Sequence, residues 1–335
     1  MGRRLRSFLL LVLSAQAFGS GLGSYEKLVV ADAPGAARAG VRVTYLGTNG
    51  YQFEFRGHAL LVDPYFSRVD LLSAALGSRI QPNASRVNDG LRHLASGNHR
   101  TDAILVTHGH FDHLLDVPGL MSKTRVRLIA SASSVDLAER AGASSGDAVK
   151  PGDVRRIGPW KIRVLPATHD RLFGKVPFDK PHSQTGPPQR AADWICGEPL
   201  AFLIEVNGQR IYIDSGGTQA QLPPNESRGI GLAILGVALP DSRERLHAAL
   251  WRLQPRYILP SHQDDFFRPL IAGFQFGALS DFPRVQRECA QQNRCRLILL
   301  DYFRPWTLPE AAGSKSQKTA GAVNPKSQTP NPKSS

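Results

Sequence analysis

Three histidines and one aspartate stand within a stretch of six residues, and their spacing suits the binding of a metal ion. They are His108, His110, Asp112 and His113. Because His108 and His110 are two positions apart, both side chains can point to one side at the end of an extended strand. Gly109 keeps the turn between them free of side-chain bulk. Imidazole nitrogens and carboxylate oxygens are good ligands for Zn²⁺, Mn²⁺ or Fe, so the segment predicts a transition-metal site.

The sequence around this segment predicts the elements that must position it. Short apolar runs, broken by turn signals such as Asn207-Gly208, predict strands, and two runs with helical spacing predict helices. The predicted strands are Val41–Leu46, Tyr51–Arg56, Ala59–Asp63, Ala103–Thr107, Arg127–Ala130, Val154–Ile157, Lys161–Leu165, Leu203–Val206, Arg210–Asp214, Leu232–Val237, Tyr257–Pro260 and Arg296–Asp301. The predicted helices are Asp241–Leu253 and Val285–Gln292. Strands with interspersed helices favour a layered α/β body.

The histidine segment resembles the metal-binding motif of the metallo-β-lactamase superfamily. Further residues match that family's order at the ends of predicted strands: Asp63, His169, Asp214 and His262. The resemblance covers residues 41 to about 303. It implies a four-layer αββα sandwich, in a hydrolase domain that spans residues 25–310.

The resemblance also implies how the ligands divide between two ions. One ion would be held by His108, His110 and His169, the other by Asp112, His113 and His262, with Asp214 as the bridge and Asp63 as a supporting residue. Asp112 would also orient the nucleophile or accept its proton, so Asp112 and Asp214 are the expected catalytic residues. Zinc is the expected metal, with up to two ions, and manganese or iron are the alternatives. Taken alone, a histidine after a strand is more often a capped or core residue, and Asp214 could be a turn residue.

Two weaker similarities concern the branch of the superfamily. The segments Thr44–Tyr51 and Gln254–His262 are similar to the branch that includes ascorbate-6-phosphate lactonase and N-acyl-phosphatidylethanolamine phospholipase D. The implied function is a secreted metal-dependent hydrolase that uses a hydroxide held by the metal on an ester, lactone or phosphodiester. Two alternatives stay open: a phospholipase D-like phosphodiesterase that acts on lipid, and a metal-binding interaction protein without turnover.

The composition excludes several other classes of protein. The chain has 335 residues, three cysteines and a formal net charge of +13. No apolar run approaches the roughly 18 residues of a membrane span, and three cysteines are too few for a disulfide scaffold. Basic residues do not cluster with aromatic ones, so we expect no nucleic-acid partner. A small-molecule or lipid substrate is expected, peripheral contact with a membrane stays open, and the sequence does not define the oligomeric state.

Both ends of the chain have compositions that differ from the central body. Residues 1–24 begin with three arginines, continue with the apolar run Phe8–Leu13 and contain Ala15-Gln16-Ala17. They predict a cleaved signal peptide with a short linker, and hence a secreted or periplasmic protein. The cut is expected after Ala17 or within the following seven residues, and a disordered basic start is the alternative. Residues 311–335 predict a disordered basic tail.

Two longer segments are candidates to border the active site. Val69–Leu76 carries Val69, Leu72, Ala75 and Leu76 at helical spacing, so it predicts a cap, a lipid contact or a helix packed on the body. Arg171–Pro199 is rich in proline and glycine and predicts a substrate-facing loop. Export would allow Cys289 and Cys295 to pair. The remaining histidines match no motif and are expected outside the site: His58, His93, His99, His182 and His247.

Overall fold

Fourteen strands form two sheets in the computed structural model, which describes residues 21–36, 40–95, 100–172, 174–177, 186–215, 222, 227–292 and 294–310. The strands are β1 Val41–Gly47, β2 Gly50–Phe55, β3 His58–Val62, β4 Arg100–Leu105, β5 Arg127–Ala130, β6 Asp147–Ala148, β7 Val154–Ile157, β8 Trp160–Pro166, β9 Leu200–Val206, β10 Gln209–Ile213, β11 Leu232–Gly236, β12 Tyr257–Ser261, β13 Arg296–Leu297 and β14 Trp306–Leu308. The first sheet has the order β14-β1-β2-β3-β4-β5-β6, and the second has the order β13-β12-β11-β10-β9-β8-β7. Each half of the chain therefore builds one sheet, except that β14 returns to pair with β1.

The helices form the layers outside the two sheets. Those in the described part of the chain are α1 Leu71–Leu76, α2 Ala84–Ala95, α3 Phe111–Leu114, α4 Val117–Thr124, α5 Ala132–Arg140, α6 Pro240–Leu253 and α7 Phe282–Ala290. Three short 3₁₀ segments accompany them, at Leu22–Leu28, Ala191–Asp193 and Leu270–Ala272. No helix among the described residues has the length and apolar composition that crossing a bilayer requires.

The burial pattern explains why the first sheet lies between other layers. Leu60 and Leu105 pack in one apolar cluster together with Ile162 and Phe202 of the second sheet. Leu61 and Ile104, the alternate positions of the same strands, pack in another cluster with residues of α3, α4 and α5. Because successive strand residues face opposite sides, both faces of β3 and β4 are buried. The expected αββα sandwich is confirmed.

Several element boundaries differ from the sequence expectation. The predicted strand Arg296–Asp301 stops at Leu297, because Leu299 instead pairs its backbone with Leu28 and Val30. In the segment Val69–Leu76 the helix begins at Leu71, since the Asp70 carboxylate caps it by accepting from the Ser73 amide at 2.9 Å. The sequence missed the helices between 84 and 140, whose apolar faces are short.

Two other expectations meet the limits of the described residues. The predicted signal peptide covers residues 1–24, of which only Gly21 to Ser24 are described, and the predicted basic tail at 311–335 lies outside the described residues.

The structure shows no disulfide between Cys289 and Cys295, the pair that export would allow. Cys196, Cys289 and Cys295 are all free thiols.

Candidate active site

The histidine segment follows β4 and leads into α3, with His110 as the residue before the first helical turn. A backbone hydrogen bond holds the turn between His108 and His110, because the Gly109 amide donates to the Cys196 carbonyl at 3.0 Å. A Cβ on Gly109 would stand 2.4 Å from the Ile195 carbonyl oxygen, so no larger residue fits without a shift. The segment before β9 therefore supports the turn between His108 and His110.

The first cluster of donor atoms consists of His108, His110 and His169. The His108 Nε2 lies 2.9 Å from the His110 Nδ1, and the His169 ring lies 4.7 and 4.6 Å from the other two ring centroids. The His169 Nδ1 donates to the Asp170 carbonyl at 2.7 Å, which leaves Nε2 as its free lone pair. Burial lowers the pKa of His108 and His110 well below the ordinary value, and lowers the pKa of His169 to about 4. Neutral imidazole is the form that binds metal.

The second cluster consists of Asp112, His113 and His262. The Asp112 Oδ2 lies 3.0 Å from the His262 Nε2 and 3.5 Å from the His113 Nε2. Burial alone would raise the pKa of Asp112, but the neighbouring His113 and His262 hold that pKa below its usual value. The carboxylate therefore stays ionised. The two clusters are adjacent, since the His108 and His113 ring centroids are 4.0 Å apart.

Asp214 follows β10 and is fully buried, but it belongs to neither cluster of donor atoms among the described residues. Its Oδ2 accepts from the Tyr212 hydroxyl at 3.1 Å and its Oδ1 from the Gly236 amide at 3.3 Å. The next residue, Ser215, places its Oγ 3.4 Å from the His113 Nε2. The end of β10 therefore lies beside the second cluster.

The donor set fits transition-metal ions. The Asp63 Oδ2 lies 2.8 Å from the His113 Nδ1, so this ring donates there and presents its Nε2 toward the cluster. The His262 Nδ1 is buried and has no hydrogen-bond partner in the described part of the chain. Each cluster offers three N or O donors within 4.8 Å of one another, which leaves room for water or substrate in a four- or five-coordinate site.

A buried network beside the clusters escaped the sequence interpretation. Asp264 accepts from the Thr48 amide, from the buried Arg68 guanidinium and from the Tyr302 hydroxyl. Burial would raise the pKa of Asp264, but Arg68 and Tyr302 keep it below the ordinary value. On the other side, Arg245 of α6 donates to the Asp170 carboxylate beside His169. Their signal in the sequence is faint, because they stand among other polar residues of loops and helices and match no motif.

The histidines without a motif lie apart from the two clusters where they are described. His58 lies 2.9 Å from the Asp102 Oδ2, the His93 ring stacks on Phe303, and His247 lies near Glu288. His99 and His182 are outside the described residues.

Known proteins share this sequence pattern and fold. A family model described as the beta-lactamase superfamily domain matches residues 58–253. A UPF0173 metal-dependent hydrolase of Pelotomaculum thermopropionicum is 26% identical over 235 residues, which cover 69% of this chain and 87% of that protein. Among solved structures, the metallo-beta-lactamase fold protein YhfI from Bacillus subtilis gives a TM-score of 0.51 at 15% identity, over 80% of this chain and 99% of that chain. Igni18, a metallo hydrolase from Ignicoccus hospitalis, gives 0.50 at 18% identity, over 77% and 95%. At these identities the two structures establish the fold alone.

Proposed function

Because this chain belongs to the beta-lactamase superfamily and is a metal-dependent hydrolase, we propose that it cleaves an ester, lactone or phosphodiester bond with up to two zinc ions. The observation that carries the proposal is the pair of adjacent donor clusters, each built at the ends of strands. The proposed ligands are His108, His110 and His169 for one ion, and Asp112, His113 and His262 for the other. Manganese and iron are the alternatives, because imidazole and carboxylate suit all three metals.

The side chains of the chain itself take distinct roles in this proposal. Bound transition-metal ions lower the pKa of a water molecule and polarise the scissile bond. Asp112, held ionised between His113 and His262, orients that water or accepts its proton. Asp63 fixes the orientation of the His113 ring by accepting from its Nδ1.

We assign Asp214 to both ions. Its Oδ2 accepts from the Tyr212 hydroxyl and its Oδ1 from the Gly236 amide, and these two hydrogen bonds fix the orientation of the carboxylate. Burial and the adjacent carboxylate raise the pKa of Tyr212 well above its ordinary value, so that hydroxyl remains a donor. A carboxylate held in this way can bridge two ions, which a single neutral imidazole does not.

One observation favours the second candidate, a phospholipase D-like phosphodiesterase that acts on lipid. Helix α1 buries Leu71 and Ala74 but leaves Leu72 and Leu76 about half exposed, at 49% and 57%. The loop before α1 contacts α3, the helix that carries Asp112 and His113, because the Tyr65 ring meets the Phe111 ring edge to face at a centroid distance of 6.2 Å. Exposed leucines at this position suit contact with an acyl chain or a membrane surface. The similarity to the branch with N-acyl-phosphatidylethanolamine phospholipase D is part of this candidate.

A substrate panel tests both candidates. Purified protein, loaded with zinc and checked by elemental analysis, is assayed on water-soluble esters, lactones, phosphodiesters and β-lactams, and on phospholipid vesicles. Turnover of the soluble ester, lactone or phosphodiester supports the first candidate, and turnover on vesicles alone selects the second. Zinc-loaded protein that turns over none of them would contradict both candidates.

Export of the chain is the remaining part of the proposal. Leu22 packs against the core and the Tyr25 ring meets Phe282 edge to face at 4.6 Å. A cut before Gly21 keeps both contacts, whereas a cut after Ser24 removes that of Leu22. N-terminal sequencing of protein from the native host is therefore expected to give a first residue between Phe18 and Gly21. An intact Met1 in protein from the cytoplasm would refute export.

A further inference from the structure

We infer that Asn49 is a positioning residue that sets the separation between His113 and His262, two ligands of the second proposed ion. This inference rests on the proposed metal centre. The two histidines come from different sheets, His113 after β4 of the first and His262 after β12 of the second. Their relative position therefore depends on whatever joins the two sheets at this edge.

Asn49 forms that connection with both ends of its amide. Its Nδ2 donates to the Asp63 Oδ2 at 2.8 Å, and its Oδ1 accepts from the Ser261 Oγ at 2.6 Å. On the first side, Asp63 accepts from the His113 Nδ1 at 2.8 Å. On the second side, Ser261 is the residue directly before His262. A continuous path of hydrogen bonds thus runs from one ligand to the neighbour of the other.

The turn that carries Asn49 also holds the backbone of His262. Asn49 and Thr48 are the two residues of the β1–β2 hairpin turn, and both are fully buried. The Thr48 carbonyl accepts from the His262 amide at 2.7 Å, and the Thr48 amide donates to Asp264 at 2.9 Å. Thr48 has φ +57° and His262 has φ +54°, so both are in the left-handed region that non-glycine residues rarely adopt. Such a backbone persists only where its surroundings hold it in place.

The chemistry of the path suits an amide at this position. The Asp63 carboxylate accepts from the amide nitrogen of Asn49, while the amide oxygen accepts from the Ser261 hydroxyl. The Ser261 Oγ accepts from Tyr51 at 3.1 Å and lies 3.3 Å from the carbonyl of Thr48, the other residue of the turn. Aspartate at position 49 would keep the shape but place a second carboxylate against Asp63, and the two like charges would repel each other.

The first ion would be affected much less. His169 is oriented by the Asp170 carbonyl, and the His108 Nδ1 lies 3.2 Å from the Thr107 Oγ1. The Thr107 Oγ1 also donates to the Asp63 Oδ2 at 2.6 Å, so His108 is reached from Asn49 through two residues, Asp63 and Thr107, whereas His113 is reached through Asp63 alone. A change at Asn49 should therefore separate the affinities of the two ions, which a general loss of stability would not do.

The experiment compares Asn49→Asp with Asn207→Asp, which makes the same chemical change in the exposed turn of the β9–β10 hairpin. Metal-free protein is titrated with zinc against a competing chelator, so that two stepwise affinities are obtained. Asn49→Asp is expected to weaken one of the two stepwise affinities by about 10- to 100-fold and to leave the other within about threefold, the size of effect known for groups that orient metal ligands. Asn207→Asp is expected to match the wild type in both steps.

Ser261→Ala tests the same path without adding charge, and it should weaken the same step as Asn49→Asp by a smaller factor. Equal stepwise affinities in wild type, Asn49→Asp and Ser261→Ala would overturn this inference while leaving the metal centre standing. An equal loss at both steps would assign Asn49 a structural role and overturn it as well. Wild-type protein that binds no second zinc ion would overturn the proposed centre and this inference together.

Discussion

At the scale of single residues, Gly109 has little room for change. The space for its Cβ is closed by a backbone carbonyl, that of Ile195, which cannot move aside as a side chain could. We expect Gly109→Ala to lower the free energy of unfolding by about 1–3 kcal/mol, as overpacking does. It should also weaken zinc binding, because the backbone must move at position 109 and His108 and His110 lie on either side of it. Urea unfolding and zinc titration measure the two effects.

Gly119→Ala is the matched control for Gly109→Ala. Gly119 lies within α4, and a Cβ there would meet nothing within 4 Å. It should raise the free energy of unfolding by about 0.4–1 kcal/mol through the unfolded state, with zinc binding unchanged. Equal behaviour of the two alanine variants would contradict the role given to the Ile195 carbonyl.

Asp214 gives the second prediction at this scale. Asp214→Ala should abolish hydrolysis and lower the zinc content of the purified protein, because both proposed ions lose a ligand. The variant should still fold, at a cost of about 1–3 kcal/mol for leaving the buried Tyr212 hydroxyl without its acceptor. Elemental analysis, an activity assay and circular dichroism check the three parts. His247 is half exposed and belongs to neither donor cluster, so His247→Ala should leave zinc content, hydrolysis and the fold unchanged.

The residues of the site differ in how visible they are in the sequence. His108, His110 and His113 are recognisable because their spacing is rare, and His169 and His262 because they follow apolar strands in a fixed order. Asn49 is not, because asparagine before glycine is an ordinary turn signal and its side-chain partners lie 14 and 212 positions away. Strand pairing within the first sheet brings Asp63 near Asn49, whereas Ser261 meets Asn49 only through the docking of the two sheets.

At the scale of elements, α6 reaches the first cluster through one side chain. Arg245 donates to the carboxylate of Asp170 and lies 3.4 Å from the Thr168 Oγ1, so it contacts the residues on both sides of His169. We expect Arg245→Gln to weaken one stepwise zinc affinity by roughly tenfold, and not the one that Asn49→Asp weakens, since Thr168 and Asp170 lose their contacts with this side chain. The stepwise titration measures this change.

Arg252→Gln removes an exposed arginine from the same helix and should leave both stepwise zinc affinities unchanged. Stepwise affinities equal to wild type in Arg245→Gln would remove α6 from the account of the site.

Strands were easier to predict than helices in this chain, for a physical reason. The long strands of the core, such as β9 and β12, are almost entirely buried and stand out as apolar runs. Helix α2 has a polar composition and owes its place to Val87 and Leu94, which pack in the cluster outside the first sheet. Strand β14 has three residues, too few for any periodicity to appear.

At the scale of the whole molecule, the two sheets are joined at a second place by His58 of β3, Asp102 of β4 and Trp160 of β8. The nearly buried Asp102 carboxylate accepts from the Trp160 Nε1 at 2.9 Å and lies 2.9 Å from the His58 Nδ1. We expect Asp102→Ala to lower the free energy of unfolding by about 1–3 kcal/mol, because the buried indole N–H loses its acceptor. Zinc content and hydrolysis should stay at the wild-type level.

Urea unfolding with and without zinc tests whether the contact among His58, Asp102 and Trp160 is independent of the proposed metal centre. Loss of zinc from Asp102→Ala under native conditions would show that the two ends of the sandwich are coupled. His58→Ala, which removes the half-exposed partner but leaves the indole satisfied, should have the smaller effect.

The pairing of β14 with β1 has a consequence for the time order of events in the cell. Val43 of β1 meets its partner Trp306 only after the chain has grown by more than 260 residues, which takes on the order of 13–50 s at the usual pace of a ribosome. Until then the first sheet keeps an open edge at β1, and the proposed metal centre is itself incomplete until His262 has been made. A chain that is threaded through a membrane during this interval would still be extended. Zinc would then be acquired on the far side, from the metal supply of that compartment rather than of the cytoplasm.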